Sequence, residues 1–477
     1  MTGAGCWAAA TSGQWTSSIA HSLFPPASFS ELLRILTLRS GYNAAVVILG
    51  ATLLGLAAGV IGAFALLRKR ALMGDALAHA TLPGIAAAFL AATALGGQGR
   101  SLPVLLVGAA ITGVLGILAV HAIVRHTRLK EDAAIGVVLS VFFGLGVVLL
   151  SYIQSLQQGN VGGLSTFIYG QTAAMSRADA LLIGSVAAAS VVLALLLMKE
   201  FRVVCFDDRF AAAIGLPVGL IDLLMMTLVV IVTVIGLQAV GLILIVAMLI
   251  IPPAAARFWT ERMARMTLAS GGIGALSGYL GASASALLPR LPAGSVIVLT
   301  AGALFLLSML LAPSRGVLAA ALRSARLRLH VALEHTLRGA YETLESQSPA
   351  PPSAPPPPVP LSAIHAVTTM HPLLWLLTKL SLRRRGLAAL ADAGATLRLT
   401  PRGLAEAARL TRNHRLWEEY LVTHADIAPS HVDRSADLVE HILSPDLVAD
   451  LERSLRARGE LPTPPPSVHP IGKGLRT

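Results

Sequence analysis

Charge is scarce in this chain. Asp, Glu, Lys and Arg make up 13% of its 477 residues, about half of what a soluble domain carries. With 55% hydrophobic residues besides, the main body reads as membrane-embedded rather than as a soluble globule. Cysteine is nearly absent. Cys6 and Cys205 are the two in the chain, too few and too far apart for a disulfide framework or a thiolate zinc cluster. Cys6 follows no basic stretch, so no signal peptide is expected. Two catalytic signatures are missing as well. No G-x-x-x-x-G-K-[ST] loop exists to wrap nucleotide phosphates, and Gly472–Lys473 lacks that frame. No H-E-x-x-H occurs, which weakens an intramembrane metalloprotease reading. The chain is not expected to be an enzyme, and any ATP hydrolysis belongs to a separate subunit.

What is present is a series of long apolar runs. Nine approach the ~20 residues that a bilayer requires of a helix: 44–67, 76–96, 102–124, 133–153, 179–198, 217–236, 238–256, 267–288 and 293–312. They are built from Gly, Ala, Leu and Val, and small residues let helices approach closely in lipid. The expected fold is an all-α polytopic bundle. Alternate loops divide the basic residues twelve to three, with Arg68, Lys69, Arg70, Arg125 and Arg128 on the rich side and Arg100, Arg177 and Arg290 opposite. By the positive-inside rule the amino terminus lies outside and everything after the ninth run is cytoplasmic.

Two polar stretches interrupt this pattern. In "GDALAHATLPG", Asp75 and His79 stand at i and i+4, one helical face. A carboxylate and an imidazole suit hard-to-borderline divalent ions, and charge at membrane depth usually marks a path or a site. Asp75 as a helix cap above a buried histidine fits the same residues. His121, Asp132 and Asp222 are further polar candidates in the bundle; each alone reads as an interfacial or cap residue. "FDDRFAAAIGLP", Phe206 to Pro217, reads as a short amphipathic helix on the inner side. It is either a docking element for a soluble partner or an ordinary loop.

More than 160 residues follow the last run. Residues 315–347 have helical periodicity and a basic face. "SPAPPSAPPPPVP", 348–360, reads as a semi-rigid solvated spacer. Residues 361–477 then read as helix, two-stranded wing and helix. In "SADLVEHILS", Asp437, Glu440 and His441 fall at i, i+3 and i+4, a set suited to Mn(II), Fe(II) or Zn(II) or simply to a solvated face. Residues 1–43 are expected to be an extracytoplasmic, poorly structured segment, and 44–314 the membrane domain.

"RKRALMGDALAHATLPGIA", "TRLKEDAAIGVVLSVFFGLGVVLLS", "QQGNVGGLSTFIYGQTAAM", "FDDRFAAAIGLP" and "LQAVGLILIVAMLIIPPAAARFWTERM" together resemble the membrane permease of manganese/zinc/iron ABC importers over roughly 45–315. "GGLSTFIYGQTAAM" is similar to the manganese-type branch. The resemblance implies a type II importer permease in a bacterial plasma membrane. It implies a paired permease copy or paralogue, a cytoplasmic ATP-binding subunit and an extracytoplasmic metal-binding protein that delivers the ion. It places the metal path at Asp75 and His79, with Asp132 a further candidate. It places the coupling helix at Phe206, Asp207, Asp208, Phe210 and Gly215. No cofactor is implied for the permease itself.

The tail resembles iron/manganese-dependent repressors of the diphtheria-toxin-repressor family from about Leu333 to Pro470, through "ALEHTLRGAYETLE", "LTPRGLAEAARLTRNHRLWEEYL", "SADLVEHILS" and "PPSVHPIG". The resemblance implies a divalent metal held by His335, Asp437, Glu440 and His441. It implies an ancillary site at His414, Glu418 and Asp433, with His431 as an alternative third ligand. Arg338 stands where the manganese branch has a glutamate ligand, which argues against a two-metal cluster. The Pro-rich run replaces one helix of the DNA-binding motif, and the candidate recognition helix "HPLLWLLTKLSLRR" is apolar where base readout needs polar side chains. Sequence-specific DNA binding is therefore not expected; a metal-responsive domain acting back on transport is. The alternatives are a membrane-tethered, metal-dependent transcription regulator and an ATP-independent secondary metal transporter.

Overall fold

The computed structural model describes residues 29–39, 41–68, 70, 73–95, 101–155, 176–287, 291–347, 356–367, 370–392 and 395–424, with positions 446, 448–450 and 453. The chain divides into two compact units, 1–319 and 320–477.

Among the described residues the elements of the first unit are all helices: α1 (Phe29–Leu36), α2 (Tyr42–Leu67), α3 (Met73–Ala80), α4 (Leu82–Ala94), α5 (Leu102–His126), α6 (Glu131–Ser155), α7 (Arg177–Leu196), α8 (Met198–Phe206), α9 (Asp208–Ala213), α10 (Val218–Val240), α11 (Leu242–Ala256), α12 (Met263–Leu287) and α13 (Ala293–Leu311). Among the described residues seven helical stretches are long and apolar enough to cross a membrane. The other two apolar runs depart from that form for visible reasons. α11 has only 15 residues, because the chain turns at Gly241 (φ +90°) with no longer loop between it and α10. α12 has 25 residues, but its glycines and serines lower its hydropathy. The run 76–96 is two helices, α3 and α4, meeting at Thr81. Thr81 Oγ1 donates to the Ala78 carbonyl at 2.6 Å, and Pro83 has no N–H to return to residue 79, so the joint lacks one hydrogen bond while Thr81 keeps helical φ and ψ (−79°, −20°).

Small residues set the centre of this unit. α2 buries Gly55, Ala58, Gly59 and Gly62 along its length, and α12 meets it with Ser270, Gly271, Gly274 and Gly278. A Cβ on Gly274 would lie 2.1 Å from the Gly55 carbonyl oxygen, and one on Gly59 2.3 Å from that of Ser270. The Ser270 hydroxyl donates to the Gly59 carbonyl at 2.6 Å. The two backbones therefore touch, the arrangement small residues permit in lipid.

One expectation needs correction here. Residues 29–36, within the segment expected to be poorly structured, form α1. Ile35 is buried, and the Leu36 carbonyl accepts a hydrogen bond from the Tyr279 hydroxyl of α12. An apolar side chain and a paired carbonyl give this short helix something to pack on.

The second unit contains α14 (Val317–Gln347), β1 (Val359–Pro360), α15 (Leu361–Val367), α16 (Pro372–Arg384), β2 (Ala388–Ala391), β3 (Thr396–Leu399) and α17 (Pro401–His424). Leu333, Leu337, Tyr341 and Leu344 recur on one face of α14 and share a core with Trp375, Leu382, Leu397 and Leu399. The expected two-stranded wing is present as β2–β3, with Ala388 opposite Leu399. It gains a third strand, in the order β1-β3-β2. That strand is the end of the Pro-rich stretch: Val359 is fully buried opposite Leu397. The stretch expected as a solvated spacer thus ends inside the sheet, because Val359 fills the core and Pro360 takes an edge position that needs no N–H.

Candidate metal path, coupling segment and tail sites

Asp75 and His79 both lie on α3, four residues apart, while the Asp75 side chain lies outside the described residues. His79 is half-buried and packs edge-on against Phe143 of α6, with ring centroids 5.0 Å apart. It is the last residue but one before the joint at Thr81. Asp132 is elsewhere: it is exposed in the first turn of α6. Phe143 is eleven residues further along the same helix, roughly 16 Å at 1.5 Å per residue. His79 and Asp132 are therefore at different depths.

Two of the loop arginines, Arg68 and Arg70, are largely buried. Arg68, just past α2, donates from Nε to Asp222 Oδ1 at 3.0 Å and from Nη1 to Asp208 Oδ1 at 2.9 Å and the Val204 carbonyl at 3.0 Å. Arg70 is paired with Asp222 and Glu131. Asp222 is 8% exposed. Such a carboxylate is tolerable only because two guanidiniums share it; removing one partner of a buried pair typically costs about 3–5 kcal/mol. His121 joins Arg70, Glu131 and Asp222 around a cavity of about 40 Å³. Taken singly in the sequence, Asp222 and His121 read as interfacial or cap residues, and nothing marks Glu131. The sequence offered no spacing that pairs residues 68 and 222.

The segment 206–215 is shaped by its own polar residues. Asp207 caps α9 by accepting from the Phe210 N–H at 2.9 Å. At the other end Leu216 N–H donates to the Ala211 carbonyl and Gly215 N–H to that of Ala212, both at 3.0 Å. That closure requires the positive φ of Gly215, +85°, which glycine adopts without a Cβ clash. Asp208 is anchored to Arg68. Phe206, Phe210 and Ile214 are left exposed, at 66%, 55% and 53%. Nearby, burial pushes the Cys205 thiol up to about 11, so it stays protonated at neutral pH.

In the tail, α17 begins at Thr400, whose Oγ1 accepts from the Gly403 N–H at 3.0 Å. The helix carries His414 and Glu418, each 2% exposed, with Nε2 and Oε1 3.3 Å apart. Arg338 of α14 reaches His414 Nδ1 at 2.6 Å. The same guanidinium nitrogen, Nη1, lies 3.2 Å from Nε2, and a guanidinium has donors only, so a ring nitrogen of His414 accepts from Arg338. A cation thus engages the His414 ring in this arrangement, and Asp433, the expected third ligand, lies outside the described residues. An Arg338→Ala chain is expected to take up an additional Zn(II) here, an increment that His414→Ala removes. Equilibrium dialysis of the full-length variants checks this, and equal stoichiometry in wild type and Arg338→Ala refutes it. His335 is half-buried on α14. Asp433, Asp437, Glu440 and His441, and the alternative His431, lie outside the described residues, as does the segment 162–175. Among the described residues no group of three or more His, Cys, Asp and Glu side chains is placed to hold a metal.

Comparison with known proteins bears on both units. The ABC 3 transport family matches residues 42–312. The iron dependent repressor metal binding and dimerisation domain matches residues 400–466. "Manganese transport system membrane protein MntC" of Bacillus subtilis is 38% identical over 392 residues, 82% of this chain and 87% of its own, so the likeness extends beyond the membrane part. "Zinc transport system membrane protein TroC" of Treponema pallidum is 40% identical over 295 residues, 62% of this chain and 97% of its own. Among solved structures, "PsaBC from Streptococcus pneumoniae in complex with Fab" matches with TM-score 0.52 and 32% identity, over 60% of this chain and 98% of that one. The buried small-residue bundle, the α3–α4 stretch bearing His79 and the capped segment 206–215 all fall within the first match. The chain is a multi-pass membrane permease of the ABC 3 transport family that also carries an iron-dependent-repressor-type metal-binding and dimerisation domain.

Proposed function

We propose that this permease imports a divalent cation, manganese before zinc or iron(II), driven by ATP hydrolysis on a separate cytoplasmic subunit. The observation that carries the reading is His79 on α3, just before the proline-containing joint to α4, with Asp75 one turn earlier, inside a chain whose relatives are named for manganese and zinc transport. Asp75 and His79 would offer the ion a carboxylate and an imidazole on its way through; Asp132, at the helix end, would act at entry or exit. The ATP-binding subunit grips the exposed Phe206, Phe210 and Ile214, with Asp207 and Gly215 holding that segment in shape. Residues 44–314 form the transport domain, paired with a second permease copy or paralogue, and an extracytoplasmic protein delivers the ion. The amino terminus lies outside, and residues 361–477, reached through 315–360, work in the cytoplasm.

In that position the tail would respond to imported metal through His335, Asp437, Glu440 and His441. A DNA-reading role is poorly served by α16, which exposes Leu373, Leu376, Leu377 and Leu380 where a groove needs hydrogen-bonding groups. The test is reconstitution of the permease with its ATP-binding subunit in liposomes. ATP-dependent manganese accumulation is expected, and Phe206→Asp/Phe210→Asp should remove both the ATPase association and the accumulation. Accumulation that proceeds without ATP would instead assign a secondary transporter. Manganese titration of the full-length protein beside His441→Ala tests the tail; identical isotherms would end the sensor reading.

A further inference from the structure

Arginines at the inner end of membrane helices are ordinarily solvated topology markers. Arg68 and Arg70 are not in that state: their side chains are 12% and 19% exposed. Both hold the same carboxylate, Asp222. Followed outward, the contacts form an unbranched series, Asp208–Arg68–Asp222–Arg70–Glu131. It begins on α9, passes the end of α2 and the start of α10, and ends on the first turn of α6.

The fourth member stands next to the candidate ion path. Arg70 N–H donates to the Ala65 carbonyl of α2, and the Arg70 carbonyl accepts from the Met73 N–H that opens α3, both at 3.0 Å. Asp75 and His79 follow five and nine residues later. We propose that this five-residue series is a positioning relay that transmits displacement of the α9 segment to α3 and α6, the helices that hold His79 and its Phe143 neighbour. The proposal rests on the reading of 206–215 as the contact with the ATP-binding subunit.

Three features suit the series to that work. Arg68 binds Asp208, Asp222 and the Val204 carbonyl from one planar group, so α8, α9 and α10 are held at fixed mutual positions. The exposure of the acids is graded. Asp222 is buried at the centre with a side chain 11% exposed, while the terminal Asp208 and Glu131 are 58% and 36% exposed. The centre is thereby a fixed pivot and the ends are the links able to break and re-form. Finally, the cavity bounded by Arg70, His121, Glu131 and Asp222 gives the terminal Arg70–Glu131 link space to break and re-form. Coupling between separated sites requires such an element with two arrangements.

The test uses the complete reconstituted transporter with its ATP-binding subunit and three readings: ATPase co-purification, ATP hydrolysis, and manganese ions imported per ATP. Glu131→Gln removes the far link, on a helix outside the docking segment. Expected is unchanged co-purification and hydrolysis, with ions per ATP lower by roughly tenfold, within the usual range of coupling between sites. Glu131→Asp, which keeps the charge, should recover most of the ratio, and Asp222→Asn should lower it at least as far. A wild-type ratio in Glu131→Gln overturns the relay. A parallel fall of hydrolysis and import in Glu131→Gln, or no recovery in Glu131→Asp, also overturns it, by assigning Glu131 to folding. Failure of the ATP-binding subunit to associate with the wild-type permease is a distinct result: it removes the docking reading and the relay with it.

Discussion

A His79→Ala transporter will bind its ATP-binding subunit and remain folded, yet import manganese at least ~100-fold more slowly than the wild type. Loss of a residue that only supports a metal ligand already costs about 10–100-fold, and His79 is proposed as a ligand itself. Its position gives the substitution a local effect. The imidazole sits near the end of α3, just before Thr81 and Pro83, and its ring packs against the edge of Phe143. Alanine keeps the helix and removes the donor nitrogen. Asp75→Asn should separate ions rather than abolish import. Losing a carboxylate penalises hard Mn(II) more than Zn(II), which imidazole suits. Isotope uptake per milligram of folded protein measures both effects. Uptake by His79→Ala within twofold of wild type, together with a lowered melting temperature, would make His79 a packing residue and take the ion path elsewhere.

Gly274→Leu should prevent the permease from accumulating as a folded, monodisperse species. A Cβ at 274 would stand 2.1 Å from the Gly55 carbonyl oxygen, and Gly55, Gly59 and Ser270 share the same crossing. The obstruction is backbone, so no side-chain rotation relieves it. α12 must move away from α2, and the Ser270–Gly59 hydrogen bond is lost with the contact. Overpacking against adaptable side chains costs about 1–3 kcal/mol, and a backbone-on-backbone clash exceeds that. The control lies two residues away. Gly272, on the same helix, has nothing within 4 Å of its would-be Cβ and is exposed, so Gly272→Leu should behave as wild type. Size-exclusion chromatography and thermal unfolding in detergent compare the two. Equal stability of both variants would mean that the helices do not cross at this point.

Local pattern carried much of this architecture. Apolar runs near the length of a bilayer, basic residues in alternate loops and the i, i+4 placement of Asp75 and His79 are all set by neighbours in the chain. Hydropathy and helical spacing report them directly. The same holds for the capped segment at 207–215 and for the wing at 388–399. Each is built from turn chemistry and alternation within a few residues. The metal-type and repressor-type character of the two units was likewise written in short motifs.

Contacts between distant residues were decided only when the chain folded. Arg68 meets Asp222 across 154 positions and Arg338 meets His414 across 76. In sequence the first pair is a topology marker and a stray acid, and the second a basic face and a metal ligand. Val359 ended a proline run that read as solvated, until β3 offered it a core and a strand partner. A side chain's type and spacing fix which face of its own helix it occupies. The face that another element brings against it depends on the packing of the whole bundle, where a buried charge must find its partner or be excluded.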